Sequence, residues 1–315
     1  MLRLALATSN AAAMYRPRAD WQKIYDANTN PEVPPPNELA DETDEVVDGY
    51  IQRIAAAQKT LRDKLVAAKP DVIVMLGYDD GTAFSGIQVP QLCTFTGEEL
   101  KGSASIPELG ESPQDNQVTL RGDPEFAWEM HQGLIDASFD VSYMSIQHAV
   151  GRSAEWGTSS AFTRPAATLL KGLDIPVVPF FINCMVEPTP PGHRLYAMGG
   201  ALGKVLQDSD KNVALVAVGG LSHDPKGARA GWIDNRLDKW VLDHFRKGDT
   251  QRLKTLFDLD SDTLSGGTGQ IRTWIAAGAA AETQGAKATI VDYIPALRAM
   301  TGLGFAYWDF ARGAA

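Results

Sequence analysis

The chain has 315 residues, of which 44% are hydrophobic and 22% charged, with a formal net charge of −10. That is the composition of an ordinary globular protein with ample core, and it leaves no room for a long disordered tract. The negative charge opposes binding to nucleic acid or anionic membrane surfaces, where Lys and Arg must neutralise phosphate, so small molecules and other proteins are the expected partners.

The apolar opening Met1–Thr8 is only a strand's length, and no run approaches the ~18 apolar residues of a membrane span. The two cysteines, Cys93 and Cys184, lie far apart in apolar runs. They are expected to be buried free thiols in a reducing compartment, which predicts a cytoplasmic protein.

In chain order, short β-rich runs occupy 2–7, 72–76, 89–94, 141–146, 175–182, 213–218 and 288–294. Helical patterns occupy 45–68, 124–138, 191–206, 233–247 and 270–282. This alternation predicts an α/β fold with a central mixed, largely parallel sheet flanked by helices, in one domain over 1–315. Two stretches break the pattern. Residues 15–40 carry Pro17, Pro31 and Pro34-Pro35-Pro36, and 97–123 is rich in Gly, Ser and Pro. Both are expected to be irregular and to act as lids or oligomer contacts.

The segment 213–225 is an apolar run that ends in Gly219-Gly220 and continues into Ser222, His223 and Asp224. Open α/β sheets place ligands at strand carboxyl ends, so His223, with an ordinary pKa near 6.5, is the first candidate for acid–base work. A structural loop histidine is the competing reading. His148 also follows a strand-like run and could share that crevice. His193 and Arg194 open a predicted helix, where they could hold a carboxylate, although a solvent-exposed helix start explains them equally well. His131 and His244 fall in amphipathic helices and read as surface or half-buried polar residues. Asp79 and Asp80 end another strand, but Asp-Asp-Gly is a common turn sequence and turn outranks chemistry there. No His-x-His, His-Glu-x-x-His or Cys-x-x-Cys spacing supports a metal site. The glycines at 266–269 form no phosphate-loop or dinucleotide fingerprint and read as a loop shaping a pocket wall.

Three segments in order, Asp-Ile-Pro-Val-Val-Pro-Phe-Phe-Ile-Asn at 174–183, Pro-Pro-Gly-His-Arg-Leu-Tyr-Ala-Met-Gly-Gly-Ala-Leu at 190–202 and Gly-Gly-Leu-Ser-His at 219–223, resemble the class III extradiol ring-cleavage dioxygenases. That LigB-like superfamily includes the protocatechuate 4,5-dioxygenase catalytic subunits. The resemblance implies an acid–base role for His223 and a pocket-lining role for His148. It also implies iron ligands of two histidines and a glutamate, but their positions fall at Asn10, around Asp79, Asp80 and Gly81, and at Gln270. Neutral amides are poor Fe(II) ligands, so no metal is expected there.

The expected function is metal-independent acid–base chemistry on a small phenolic or catecholic acid, with His223, His148 and Asp80 catalytic and Asn10, Asp79, Gln270, His193, Arg194 and Ser222 binding substrate. One alternative is an Fe2+-dependent ring-opening dioxygenase with an altered ligand set. Another is a non-catalytic subunit paired with an active relative. The resemblance further implies a homodimer or larger homo-oligomer, or a hetero-oligomer with a related subunit.

Overall fold

The computed structural model describes residues 1–258 and 261–310. Its elements in order are β1 (Leu2–Thr8), α1 (Arg18–Asn28), α2 (Asp44–Ala68), β2 (Val72–Gly77), β3 (Leu92–Phe95), β4 (Glu99–Ser103), β5 (Gln117–Arg121), α3 (Pro124–Asp136) and β6 (Ser142–Met144). There follow α4 (Ser160–Leu169), β7 (Val177–Ile182), α5 (Gly192–Asp208), β8 (Val213–Val218), α6 (Asn235–Lys247), α7 (Ile271–Glu282), β9 (Thr289–Ala296) and β10 (Thr301–Asp309).

Eight strands form one sheet in the order β6-β3-β7-β2-β8-β1-β10-β9. Its centre, β7-β2-β8-β1, is parallel. β10 joins β1 antiparallel and β9 joins β10 antiparallel, while β3 runs antiparallel to β7. The sheet is therefore mixed and largely parallel, with helices around it. β2, β7 and β8 are buried along their whole length. This explains their continuous apolar sequence, since a strand covered on both faces has no polar side.

The helices are set by local chemistry. The Thr43 side chain accepts from the Val46 N–H at the start of α2, and Lys69 ends the helix in a left-handed conformation. Along α2 the buried residues Ile54, Ala57, Leu61 and Leu65 recur at the three- and four-residue spacing of one helix face. Among the described residues no helix is long and apolar enough to cross a membrane. Cys93 and Cys184 are buried free thiols, and burial pushes both up to about 12.

The structure corrects the reading of the two irregular stretches. Residues 15–40 contain α1, an 11-residue helix burying Trp21, Ile24 and Tyr25. Residues 97–123 contain the β4–β5 hairpin, which pairs from Glu99↔Arg121 to Ser103↔Gln117. Its second strand is mostly exposed, so neither alternation nor hydrophobicity marks it. Helix α4 and strand β10 also lie outside the predicted elements.

Candidate active site at the strand carboxyl ends

β2, β8 and β1 are adjacent and parallel, so their carboxyl ends open onto one place. From β1 the chain continues to Asn10, from β2 to Tyr78 and Asp80, and from β8 through Gly219 and Gly220 to His223. A loop before α7 adds Gln270. These residues line one cavity of about 220 Å³, together with Ile24, Tyr25 and Asn28 of α1 and with Glu108, Ser160 and Arg164. Since a cavity of about 150 Å³ accommodates benzene, this one has room for a single substituted ring.

His223 sits past a turn that only glycine adopts easily, with φ of +118° at Gly219 and +65° at Gly220. Its Nδ1 lies 2.8 Å from the Leu221 carbonyl oxygen. A carbonyl can only accept, so Nδ1 carries the proton and Nε2 holds the lone pair. Withdrawal of the ring from water lowers its pKa below 6.5, opposed by the Leu221 carbonyl and by the charge of Asp224. The imidazole is thus neutral at pH 7. Thr268 fixes the backbone on both sides, its Oγ1 accepting from the His223 N–H at 3.1 Å and its own N–H donating to the His223 carbonyl at 3.0 Å. The ring edge lies directly on Gly267, where a Cβ would stand 2.1 Å from Nε2.

Opposite lies a hydrogen-bonded chain that the sequence did not reveal. Tyr15 donates its hydroxyl to Asn10 Oδ1 at 3.0 Å, and Asn10 Nδ2 reaches Tyr78 Oη at 3.3 Å and Ser160 Oγ at 3.5 Å. Ser160 donates both Oγ–H, at 2.8 Å, and backbone N–H, at 3.1 Å, to Asp80 Oδ2. Burial raises the pKa of both tyrosines, against the pull of the Arg164 charge, so their phenols stay protonated. Gln270 Oε1 accepts from the Gly220 N–H at 3.0 Å, and Nε2 faces Met185 Sδ at 3.8 Å. Arg272 braces this corner, donating to the carbonyls of Pro190 and Gly269 and to Thr189.

The other candidates lie elsewhere. Asp79 turns away from this cavity, and its carboxylate accepts from the N–H groups of Thr82, Ala83 and Phe84 and from the Thr82 hydroxyl. It holds the turn after β2 together. Ser222 is buried behind His223, where it donates to Asp238 Oδ2 at 2.8 Å and accepts from the Asp234 N–H at 2.9 Å. His148 is exposed, because β6 is a three-residue strand at the sheet edge, five places from β1. It does not meet His223. His193 has 65% of its side chain exposed and lies 3.6 Å from Asp258, while Arg194 lies over the Phe139 ring at 5.9 Å. Neither is among the residues that line the cavity.

The cavity does not fit an Fe(II) centre. Asn10 and Gln270 have their amide oxygens engaged by Tyr15 and Gly220, and of the two carboxylates on the wall, Asp80 and Glu108, Asp80 already holds Ser160. Among the described residues no three His, Cys, Asp or Glu side chains group as metal ligands would.

Residues 31–304 match the family described as "Catalytic LigB subunit of aromatic ring-opening dioxygenase". Among curated proteins, a 2,3-dihydroxyphenylpropionate/2,3-dihydroxicinnamic acid 1,2-dioxygenase of Pseudomonas putida is 26% identical over 191 residues, 59% of this chain and 54% of the relative. The enzyme of the same name from Escherichia coli O81 is 29% identical over 187 residues, 59% and 52% of the two chains. The matched part thus spans about half the length of these relatives. A crystal structure of the uncharacterized protein JW3007 from Escherichia coli K12 superposes with a TM-score of 0.54 at 14% identity, covering 96% of this chain and 99% of that one. Similarity at that level speaks to the fold. The chain belongs to the LigB family, and its strand-end cavity presents Asn10, Asp80 and Gln270.

Proposed function

We propose that this protein acts on a small phenolic or catecholic acid by metal-independent acid–base chemistry centred on His223, of the hydrolase, lyase, isomerase or decarboxylase type. The observation that carries this reading is the state of His223: its Nδ1–H is bound to the Leu221 carbonyl, its ring is held neutral, and it lines the cavity. A neutral imidazole fixed in this tautomer is ready to take a proton at Nε2. Such a positioned base contributes roughly 10²–10⁴ in rate.

The groups across the cavity complete the chemistry. As Nε2 removes a proton from a phenol or from carbon next to a carbonyl, negative charge develops on a substrate oxygen. Tyr78 Oη already accepts from Asn10, and its own proton, held on by burial, is free for that oxygen. The Gln270 amide, with Oε1 fixed, offers Nε2 as a second donor. A donor aimed at a developing oxyanion is worth about 10²–10³ in rate in other enzymes.

The names of the relatives favour a second reading, oxygen-dependent ring opening with iron held by an altered ligand set that includes Asp80. One experiment separates the two. Protein stripped of metal is incubated with a panel of phenolic acids, aerobically and under nitrogen, with and without added Fe(II), and products are followed by chromatography. Turnover that persists without oxygen and metal, and drops at least about 10²-fold in His223→Ala, is the expected result. Turnover that appears only with both Fe(II) and oxygen overturns the proposal.

A further inference from the structure

Among the described residues two arginines are buried, and they are provided for very differently. Arg272 has a partner for every nitrogen of its guanidinium: Nε donates to the Pro190 carbonyl at 2.7 Å, Nη1 to the Gly269 carbonyl at 3.2 Å and Nη2 to Thr189 Oγ1 at 2.8 Å, while Phe257 covers its face at 3.8 Å. Arg164, on α4, is only 9% exposed and makes one bond, from Nη2 to the Ser105 carbonyl at 3.2 Å. Its Nε is buried without a partner among the described residues, and no carboxylate there lies within ion-pair distance of it. A buried, always-charged fork left this way is costly, and a protein keeps such a group where something else completes it.

Arg164 stands where the site opens into a second space. The first cavity, beside His223, and a neighbouring one of about 210 Å³ share Asp80, Glu108, Ser160 and Arg164 as their common wall. The neighbouring cavity is lined with hydroxyls, among them Ser103, Ser105 and Thr158, and by Trp156. Thr158 Oγ1 is likewise buried without a partner among the described residues. Three residues of this one small space, Arg164, Thr158 and Glu108, thus each carry a buried polar atom without a partner among the described residues, and its only lining cation is Arg164.

We propose that Arg164 is an anion-binding residue of this site, holding a carboxylate carried on a short side chain that reaches from the ring beside His223 into the hydroxyl-lined cavity. This rests on the reading of the first cavity as the seat of an aromatic ring. The guanidinium matches a carboxylate because a planar fork meets two oxygens at once, and the Thr158 hydroxyl supplies a further donor. The other charged groups on these walls are Asp80, Glu108 and Arg298. Asp80 already holds Ser160, whereas Glu108 Oε2 is buried without a partner among the described residues and works against an anion. The site therefore takes one carboxylate and not two. The role assigns the carboxylate to Arg164 and not to Arg194, whose guanidinium lies over Phe139 outside both cavities.

Binding of 3-phenylpropionate and of its neutral amide, 3-phenylpropanamide, tests this by calorimetry and by quenching of tryptophan fluorescence. Neither needs turnover, so the result stands apart from the reaction type. Wild type should bind the acid about 10-fold or more tightly than the amide, the scale of a hydrogen bond to a charged group. Arg164→Gln should abolish that preference, Arg164→Lys should keep part of it, and Glu108→Gln should strengthen acid binding. Circular dichroism melts establish which variants are folded, and Arg164→Lys and Glu108→Gln carry the test should Arg164→Gln not fold. An unchanged acid preference in folded Arg164→Gln, weaker acid binding in Glu108→Gln, or tighter wild-type binding of 3-phenylpropylamine than of the acid would each overturn the proposal. Loss of acid preference with His223→Ala still active would instead sink the His223 chemistry and leave the Arg164 role intact.

Discussion

His223 and His148 both follow short strands, yet the fold treats them in opposite ways. His223 leaves β8, which is hydrogen-bonded on both sides at the middle of the sheet, and its ring is held by Leu221 and set against Gly267. His148 leaves β6, a three-residue strand at the sheet edge, and stands in solvent. The lesson is that a strand end becomes a site through its neighbours. Only between parallel strands in the sheet interior do several carboxyl ends converge, and only there are helix and loop close enough to exclude water.

The largest effect that would sharpen this contrast is on turnover. His223→Ala should lower kcat by about 10²–10⁴, while His148→Ala should leave it within about twofold. Comparable losses in both would break the comparison. Next comes Gly267→Ala, because a Cβ 2.1 Å from Nε2 forces the ring or the loop to move. A shift of that kind is expected to cost on the order of 10–100-fold in kcat with the melting temperature nearly unchanged. The pH profile is a third check. The base form of His223 is lost as pH falls, and its lowered pKa places that acid limb below 6.5 for kcat/KM. A limb at 7 or above would mean another group is titrating.

Behind His223, Asp238 is fully buried and accepts from the Ser222 N–H, the Ser222 hydroxyl and the Tyr293 hydroxyl. Burial pushes its carboxyl up to about 7, against the pull of these donors. A folded pKa above the unfolded value of 3.8 means the contribution to stability is full below about pH 4 and is lost as pH rises toward 7. The change is on the order of 2–4 kcal/mol. Urea denaturation from pH 4 to 8 should show this slope, and Asp238→Asn should flatten it. The smallest effect is at His193, where replacement by Ala should change stability by no more than about 0.5 kcal/mol, since the side chain is mostly exposed.

Much of the sheet was legible. Val213–Val218 is a strand to the residue, because a central parallel strand is apolar throughout and here ends at two glycines. Strand β10 was missed because Gly302 and Gly304 weaken its propensity, although a Cβ at 302 would stand 1.9 Å from Asp238 Oδ2. Helix α4 was missed because Pro165 lies inside it, and α1 because prolines flank a mostly polar helix. At the site, His223 and Asp80 were singled out from strand ends, and Asn10 and Gln270 only from the family resemblance. Tyr15, Tyr78, Ser160 and Arg164 were not, since each gains its role only from partners far along the chain.

What the sequence determined by itself was the α/β class, the apolar parallel core and the family, because strand and helix periodicities and ordered motifs are local properties of the chain. Only the tertiary structure decided which polar residues share a cavity. It put Asp80 on the cavity wall while folding Asp79 into its own loop, and it set His223 against Gly267 while leaving His148 in water. It also left Arg164 buried with one partner where Arg272 has several. Such pairings depend on strand order and on loops separated by many residues, and spacing along the chain does not encode them.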